Sequence, residues 1–340
     1  MLLFTVIAVA VDSSEKTDDF VKAGLTTHQI IFDYYLGFIP FIWGLLYPLF
    51  VFIAVIFFTS KMALQSEVIA ILASGVTFRR WLQPYLIGGL FFATILWFAN
   101  RYVLPRANEI RSNFQLKYLD RNDYQSSAGT YYMRSDANTY IGVKDYDTVN
   151  KQATGFFLER VKGGRMYYNI RADGMRWDAV KGKWALTNVV ERTIDTMQEN
   201  IKTHPLLYIN LNLKPADLRK DDYLKDKLTT PELVRFIKAE QDRGVEGLNT
   251  LKVEQYRRSA TPFTVLLLTM IGAVVAGRKT RGGSGLHLAI GIGIAAIFIL
   301  SDRFSTVFST KSNFPPLIAA WMPNIVFTFV AYYMYRKAPK

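Results

Sequence analysis

The sequence predicts a membrane protein of mixed α and β structure, in which two groups of apolar helices flank a β-rich middle segment. Long apolar runs with almost no charge occur on both sides of residues 105–228. The middle segment is charged, and its apolar residues alternate with polar ones in short stretches. A helix needs about 20 mostly apolar residues to cross a bilayer, whereas alternation at every second residue is typical of half-buried strands. We therefore expect a membrane α plus β fold in three parts, 1–104, 105–228 and 229–340.

Five apolar runs are candidates for membrane-spanning helices. They cover residues 34–59, 81–100, 259–277, 287–301 and 314–335. Prolines lie in or near several of these runs, which membrane helices tolerate better than soluble ones because neighbouring groups satisfy the freed backbone. So many apolar runs in one chain are hard to bury in a soluble core, and this favours a membrane location.

Residues 2–11 form a further apolar run, which has only about half the length of a bilayer-spanning helix. No basic residue precedes it, so the run does not fit a secretory signal peptide. We expect it to be the outer half of a first helix whose beginning is missing, which would make Met1 an internal methionine of a longer protein. Six transmembrane helices in a three-plus-three arrangement result, the first one truncated.

The charges of the short loops predict which helix ends face the cytoplasm. Lysine and arginine outnumber the acids in the 60–80 loop, in the 277–286 loop and at the C-terminus. Cytoplasmic loops carry such an excess, so the middle domain should lie on the other side. In a soluble protein the net charge of +13 would suggest nucleic acid, but beside membrane helices it reflects orientation and anionic lipid. We expect no nucleic-acid partner.

The middle segment contains short stretches rich in β-branched and aromatic residues, the composition of strands. They are 129–134, 139–143, 155–161, 166–172, 184–192 and 206–213, with turn signals at 162–164, 172–174 and 181–183. No helical period separates them, so the sheet should be antiparallel, in a sandwich, a barrel or a jelly roll. A helix should follow, with Thr230 as its N-cap and Pro231 as its first residue, running to Asp242 and ending near Gly244.

Residues that usually carry enzymatic or metal chemistry are missing from the sequence or scattered along it. There is no cysteine, and His28, His204 and His287 lack ligand spacing, so we expect no metal site, no cofactor and no catalytic centre. Residues 272–280 resemble a phosphate-binding loop, but Arg278 stands where that loop needs lysine, and an apolar helix precedes it instead of a strand. Any dependence on ATP must therefore come from a partner protein.

The 65–75 segment lies between two predicted spans on the cytoplasmic side. It should form a short helix with Glu67 near its start and Gly75 just after its end. Such a helix could lie on the lipid surface, or it could couple the membrane helices to a cytoplasmic ATPase, with Glu67 meeting a basic group. The spacing alone leaves both interpretations open.

Three cations lie just beyond predicted helix ends on the side away from the cytoplasm. They are Lys16, Lys22 and Arg101. Side chains in such places usually extend to the membrane interface. These three are also placed where the head group of an anionic lipid would be held as the lipid leaves the membrane.

The order of the parts, with a collinear set of short segments, resembles the LptF/LptG (YjgP/YjgQ) permease family of the lipopolysaccharide-export ABC transporter. The segments are 21–24, 66–67, 73–77, 230–233, 256–262, 281–283, Asp302, 315–319 and Pro323. The resemblance covers essentially the whole chain, and it departs from the family pattern at the start of the first helix.

The resemblance implies a multi-pass permease subunit of the cell inner membrane, with a periplasmic β-jellyroll domain and a cytoplasmic C-terminus. Together with the sister permease of an LptF/LptG pair it would extract lipopolysaccharide and pass it to a periplasmic bridge of the LptC/LptA type. A cytoplasmic ABC ATPase dimer would dock on a coupling helix at about 64–75. The coupling residues would be Ser66, Glu67, Ala73, Ser74 and Gly75. By the family pattern Lys22 is the best-matched contact for lipid phosphates, ahead of Lys16.

Two other interpretations compete with lipopolysaccharide export. A lipoprotein-release-type permease also combines membrane helices with an extracytoplasmic domain, but its large domain usually follows the first helix instead of the third. A membrane-anchored scaffold or sensor would have no ATPase partner and would tolerate substitution of Glu67. The symmetric layout of the chain speaks against the first of these, and recovery of an ATPase would speak against the second.

Overall fold

A computed structural model of the chain divides into two compact units. The helical unit consists of Met1–Ser112, Lys225–Arg235 and Asn249–Lys340, and the sheet unit consists of Asn113–Leu224 and Phe236–Leu248. The structure describes residues 1–119, 127–136, 138–147, 150–195, 198–211, 213, 215, 218, 223–242, 247–278, 283–312 and 314–338. The predicted helix end near Gly244 and part of the 277–286 loop lie outside the described residues.

Six helices precede the sheet in the part of the chain that the structure describes. They are α1 Leu2–Lys22, α2 Thr27–Gln29, α3 Leu36–Leu64, α4 Glu67–Ala73, α5 Phe78–Phe98 and α6 Leu104–Phe114. π-helical segments join some of them: Ile30–Tyr35 links α2 to α3, Ala99–Val103 links α5 to α6, and Gln115–Leu119 follows α6. These joints keep the helices continuous while shifting the direction of their side chains.

Among the described residues, five further helices follow the sheet. They are α7 Leu224–Lys227, α8 Thr230–Asp242, α9 Asn249–Ala276, α10 Gly283–Ser312 and α11 Pro316–Arg336. The helix α8 begins with Thr230, so the N-cap is Thr229 and the prediction of Thr230 as the cap is wrong. The reason is Glu232, whose Oε2 accepts hydrogen bonds from the backbone N–H of Thr229 at 2.9 Å and from its hydroxyl at 2.6 Å.

Five helical stretches within the described residues are long and apolar enough to cross a membrane, and each contains a predicted apolar run or overlaps most of it. They are Thr27–Leu64, Phe78–Leu119, Asn249–Ala276, Ser284–Ser312 and Pro316–Arg336. Most of these helices are longer than the predicted apolar runs. They continue through polar turns at their ends, which a prediction based on hydropathy leaves out. The helix α1 is not among them, so the arrangement with six spans stays a prediction.

The helix α9 forms the centre of the helical unit. About two-thirds of its most apolar stretch is buried, against less than a third for the other spans. Small residues allow this close packing: a side-chain carbon on Gly272 would lie 3.1 Å from Phe52 of α3. Membrane helices pack through such small residues because lipid offers no hydrophobic drive for their association.

The sheet unit contains one six-stranded antiparallel sheet. The strands are β1 Ser127–Asp136, β2 Thr139–Asp147, β3 Gln152–Lys162, β4 Arg165–Asp178, β5 Lys183–Ile194 and β6 Glu199–Ile209. All six predicted strands are confirmed, and so is their antiparallel pairing. Neighbours in the sheet are consecutive in sequence. This is the order of a meander, whereas a jelly roll contains Greek-key crossings, so the jellyroll stays a prediction that this order does not support.

Two details of the predicted strands are wrong. The turn at 172–174 does not exist, because Gly174 lies inside β4 opposite Thr187 of β5. A side-chain carbon on Gly174 would lie 2.6 Å from the Thr187 hydroxyl, so glycine serves a close approach of strands at this position. The last strand ends at Ile209, short of 213. Leu213 lies instead in the core, and its carbonyl accepts a 2.7 Å hydrogen bond from Trp184 Nε1.

Candidate functional site

The helix α4 occupies the predicted coupling segment, and two residues of left-handed backbone delimit it. Ser66 precedes the helix with φ +60°, and Gly75 follows it with φ +90°. The Gly75 N–H donates to the carbonyl of Leu72 at 3.1 Å. Gly75 therefore ends the helix as predicted, since glycine adopts this conformation without steric strain.

One face of α4 is anchored in the helical unit. Val68 is 1% exposed and packs in a cluster that includes Ala63 of α3, Trp81 of α5 and Val274 of α9. Ile71 of the same helix packs against this cluster. A helix held only by lipid would lack these contacts, so displacement of α4 would act directly on three membrane helices.

The opposite face of α4 is open. Among the residues chosen from the sequence, Ser66 is half-buried and the other four, Glu67, Ala73, Ser74 and Gly75, are exposed. Ala70 and Ile69 are exposed as well, and Ile69 is 50% exposed. Among the described residues Glu67 has no ion-pair partner. The face is thus a small apolar surface with a free carboxylate at its edge.

The structure separates the three predicted lipid-contacting cations by environment. Lys22 is exposed in the last turn of α1. Lys16 lies earlier in the same helix, and its ammonium pairs with Asp12 at 2.8 Å and hydrogen-bonds to the hydroxyl of the buried Tyr34. Lys22 is therefore available to a ligand, whereas Lys16 is already engaged within the chain.

Arg101 lies in the π-helical segment Ala99–Val103, between aromatic side chains. Its Nε donates to the Tyr102 hydroxyl at 3.0 Å, and its guanidinium is 5.4 Å from the centroid of the Trp97 ring. Aromatic residues of this kind anchor helices at the membrane interface. None of the three cations lines the two cavities of the helical unit that are described next.

The larger of these cavities is an apolar groove of about 950 Å³ between α3 and α5. Its walls include Val51 and Phe58 of α3, Phe92 of α5 and Ile71 of α4. The coupling segment thus forms part of the groove, so a movement of α4 would change its shape.

The smaller cavity, the mixed cavity, has about 290 Å³ and lies between α3, α6, α7, α9 and α10. One part of its wall is apolar. The other part carries six charged residues: Asp226, Glu254, Arg257, Arg258, Asp302 and Arg303. Ionisable groups are rare in membrane helices and usually face the interior of a bundle, where they mark functional sites.

Comparison with known families favours one of the competing interpretations. The family model of the lipopolysaccharide export system permease LptF/LptG matches residues 1–337. The chain belongs to the LptF/LptG family. The family is one of transport permeases, which together with the apolar helices makes this chain a multi-pass lipopolysaccharide export permease of the inner membrane. A search of curated proteins finds no match.

The sequence reasoning missed most of the mixed cavity of this LptF/LptG chain. Asp302 was noted at the end of a predicted span and in the family resemblance, but Asp226 and Glu254 did not enter at all. A signal was present, because Glu254, Arg257 and Arg258 have i, i+3 and i+4 spacing at the start of an apolar helix. Burial, followed by the nearby Glu254 carboxylate, raises the pKa of Asp226 above its ordinary value.

Proposed function

We propose that the chain is the permease subunit of an ABC transporter that extracts lipopolysaccharide from the inner membrane and is powered by a separate ATPase. The observation that carries this proposal is the two-sided helix α4. Its outer face is open for a partner, and its inner face, through Val68, contacts three membrane helices. A movement of the bound ATPase would therefore reach the spans without any flexible intermediate.

The proposal places α4 in the cytoplasm and the sheet unit in the periplasm. The basic residues Lys61, Arg79 and Arg80 flank α4 and support this orientation. An ATPase dimer would contact Ser66, Ala73, Ser74 and Gly75, with a basic group of the ATPase meeting Glu67. The parts 1–104, 105–228 and 229–340 then correspond to the first helices, the periplasmic domain and the last helices.

In this proposal the first contacts with the lipid are made by the three cations at helix ends, Lys16, Lys22 and Arg101. Lys22 and Arg101 would bind lipid phosphates, and Lys16 would join them only when a phosphate replaces Asp12. A sister permease of the LptF/LptG pair would complete the lipid path. The sheet unit would pass the lipid to a periplasmic bridge of the LptC/LptA type. Among the described residues its edge strands β1 and β6 pair with a strand on one side only, so their other sides offer backbone groups for such a continuation.

The test is co-purification of the chain from its own membrane in mild detergent, comparing wild type with Glu67→Ala. We expect an ATPase in fixed ratio to the wild-type chain and a clear loss, about tenfold in retention, for the variant. The matched control is Glu15→Ala, which removes an exposed acid of α1 and should leave retention unchanged.

Two results would contradict the proposal. Recovery of the chain without any ATPase would remove the energy source and favour a scaffold. Equal retention by wild type and Glu67→Ala would move the docking surface away from α4. Mass spectrometry of the co-purified lipid then separates lipopolysaccharide export from lipoprotein release.

A further inference from the structure

The mixed cavity joins a charged end to an apolar end, which are the two parts of an amphiphile. Its volume of about 290 Å³ lies at the lower limit of small-molecule pockets. A glycolipid with several chains does not fit into this space. A single small head group with part of one chain does, and any other chain then stays outside in the bilayer.

One charged residue at the polar end, Arg258, is already hydrogen-bonded within the protein. Arg258 donates to the carbonyls of Leu228 and Lys225, both at 2.7 Å, and to Glu254 Oε1 at 3.2 Å. These bonds fix the start of α9 against the segment that contains α7. Arg258 is 8% exposed and is structural.

Other charges at the same end remain available, and they include both signs. Asp226 and Asp302 line the cavity without a hydrogen bond or ion pair to their carboxylates from any described residue. On the positive side, Arg257 has one ion pair, from Nη2 to Glu254 Oε2 at 3.1 Å. Arg303 lines the cavity, is exposed and has no ion pair to a described residue. The cavity carries three acids and three arginines, so its charges are balanced, and an occupant with one charge alone would disturb that balance.

The apolar end is accessible from outside the unit. Leu45 of α3 and Ile299 of α10 both line the cavity, and they are 46% and 44% exposed on the surface of the bundle. Behind them, Leu49, Leu268 and Phe298 form the inner wall. A hydrocarbon chain can therefore enter from the surrounding bilayer while its head group stays with the charged residues.

We propose that the mixed cavity binds a zwitterionic phospholipid whose head group is phosphoethanolamine. The phosphate accepts hydrogen bonds from Arg257 and Arg303, and the ammonium donates to Asp226 and Asp302. A primary ammonium is required because a trimethylated one has the same charge but no N–H donor. A metal ion fits less well, since the described residues contain no group of three His, Cys, Asp or Glu side chains placed to hold one.

The test is native mass spectrometry of the permease, purified with its accompanying chains, delipidated and titrated with defined lipids of equal chain length. Phosphatidylethanolamine should bind about tenfold more tightly than phosphatidylcholine or phosphatidylglycerol, as expected for lost hydrogen bonds to charged groups. Asp302→Asn should reduce phosphatidylethanolamine binding to the level of phosphatidylcholine. Glu109→Gln, at a half-buried acid of α6 that pairs with Arg106, should leave it unchanged.

A second pair of variants tests the apolar end without altering any charge. Leu46→Trp places bulk inside the cavity and should abolish the preference for phosphatidylethanolamine, whereas Ile87→Trp, at a residue 71% exposed on α5, should not. Equal binding of the three lipids by wild type would overturn the proposal, and so would an unchanged preference in Leu46→Trp. The measurement involves no transport, so its outcome is independent of the proposed function.

Discussion

Glu191 of β5 joins three neighbouring strands of the sheet through its carboxylate. The Tyr168 hydroxyl of β4 donates to Oε1 at 2.7 Å, and His204 Nε2 of β6 lies 3.3 Å from Oε2. The hydrogen bond from Tyr168 is the main cause that holds the pKa of Glu191 below its ordinary value. The ionised carboxylate is thus the form that the folded sheet prefers.

The depressed pKa of Glu191 predicts a loss of stability in acid. The contribution is fully present above the pKa of the unfolded chain, near 4.5, and is lost as the pH falls through the lower folded value. Glu191→Gln should lower the free energy of unfolding by about 1 kcal/mol at neutral pH. Between pH 7 and pH 3 the free energy of unfolding should then fall less in the variant than in wild type. Thermal unfolding of the full chain between pH 3 and pH 7 measures this. Parallel curves for the two proteins would contradict it.

Which residues interact was only partly predictable at this scale. The exposure of Glu67 was predictable, because the residue lies at the polar start of a short helix. Engagement of Lys16 by Asp12 was visible as i, i+4 spacing, but the buried Tyr34 that completes the contact lies 18 residues away. Contacts over such distances depend on how α1 folds against the next helix, which one sequence does not show.

At the scale of elements, the N-terminus of α8 illustrates how local sequence can mislead by one residue. Thr229 and Thr230 both precede Pro231, and proline at the first position of a helix favours Thr230 as the cap. Glu232 decides otherwise, because its side chain reaches back three residues to Thr229. The hydrogen bonds from Thr229 also lower the pKa of Glu232, so the cap is an ionised one.

This cap predicts different effects for two adjacent threonines. Thr229→Ala should destabilise α8 by about 1 kcal/mol, because it removes the hydroxyl that binds Glu232. Thr230→Ala should have a smaller effect, since its hydroxyl has only a 3.4 Å contact from Arg258. Hydrogen exchange of the amides of α8 measures both variants. Faster exchange in Thr230→Ala than in Thr229→Ala would restore Thr230 as the cap.

The membrane spans and the strands were predictable because a single physical rule governs each of them. The bilayer requires about 20 apolar residues, so the spans followed from composition. The strands followed from alternation, yet Gly174 was assigned to a turn because Asp-Gly usually marks one. In the structure the cross-strand partner of Gly174 overrides that local preference.

For the molecule as a whole, the helices and strands were easier to predict from the sequence than the contacts between them. The residues of the mixed cavity come from α3, α6, α7, α9 and α10, so their charges are brought together only by packing. The α4 helix is the opposite case, because its open face and its anchoring face alternate within seven residues. A function that depends on one helix is therefore easier to predict than a cavity built from five.

The two faces of α4 predict that docking and transmission can be separated by single substitutions. Ile69→Ala trims the exposed face and should weaken ATPase retention while leaving thermal stability nearly unchanged. Val68→Ala trims the buried contact with the spans, so it should keep the ATPase bound, lower stability by about 1–2 kcal/mol and reduce the lipopolysaccharide exported per ATP hydrolysed. Export and hydrolysis by the complex in proteoliposomes measure this ratio. If Val68→Ala exports as much per ATP as wild type, α4 only docks the ATPase, and the movement reaches the spans by another path.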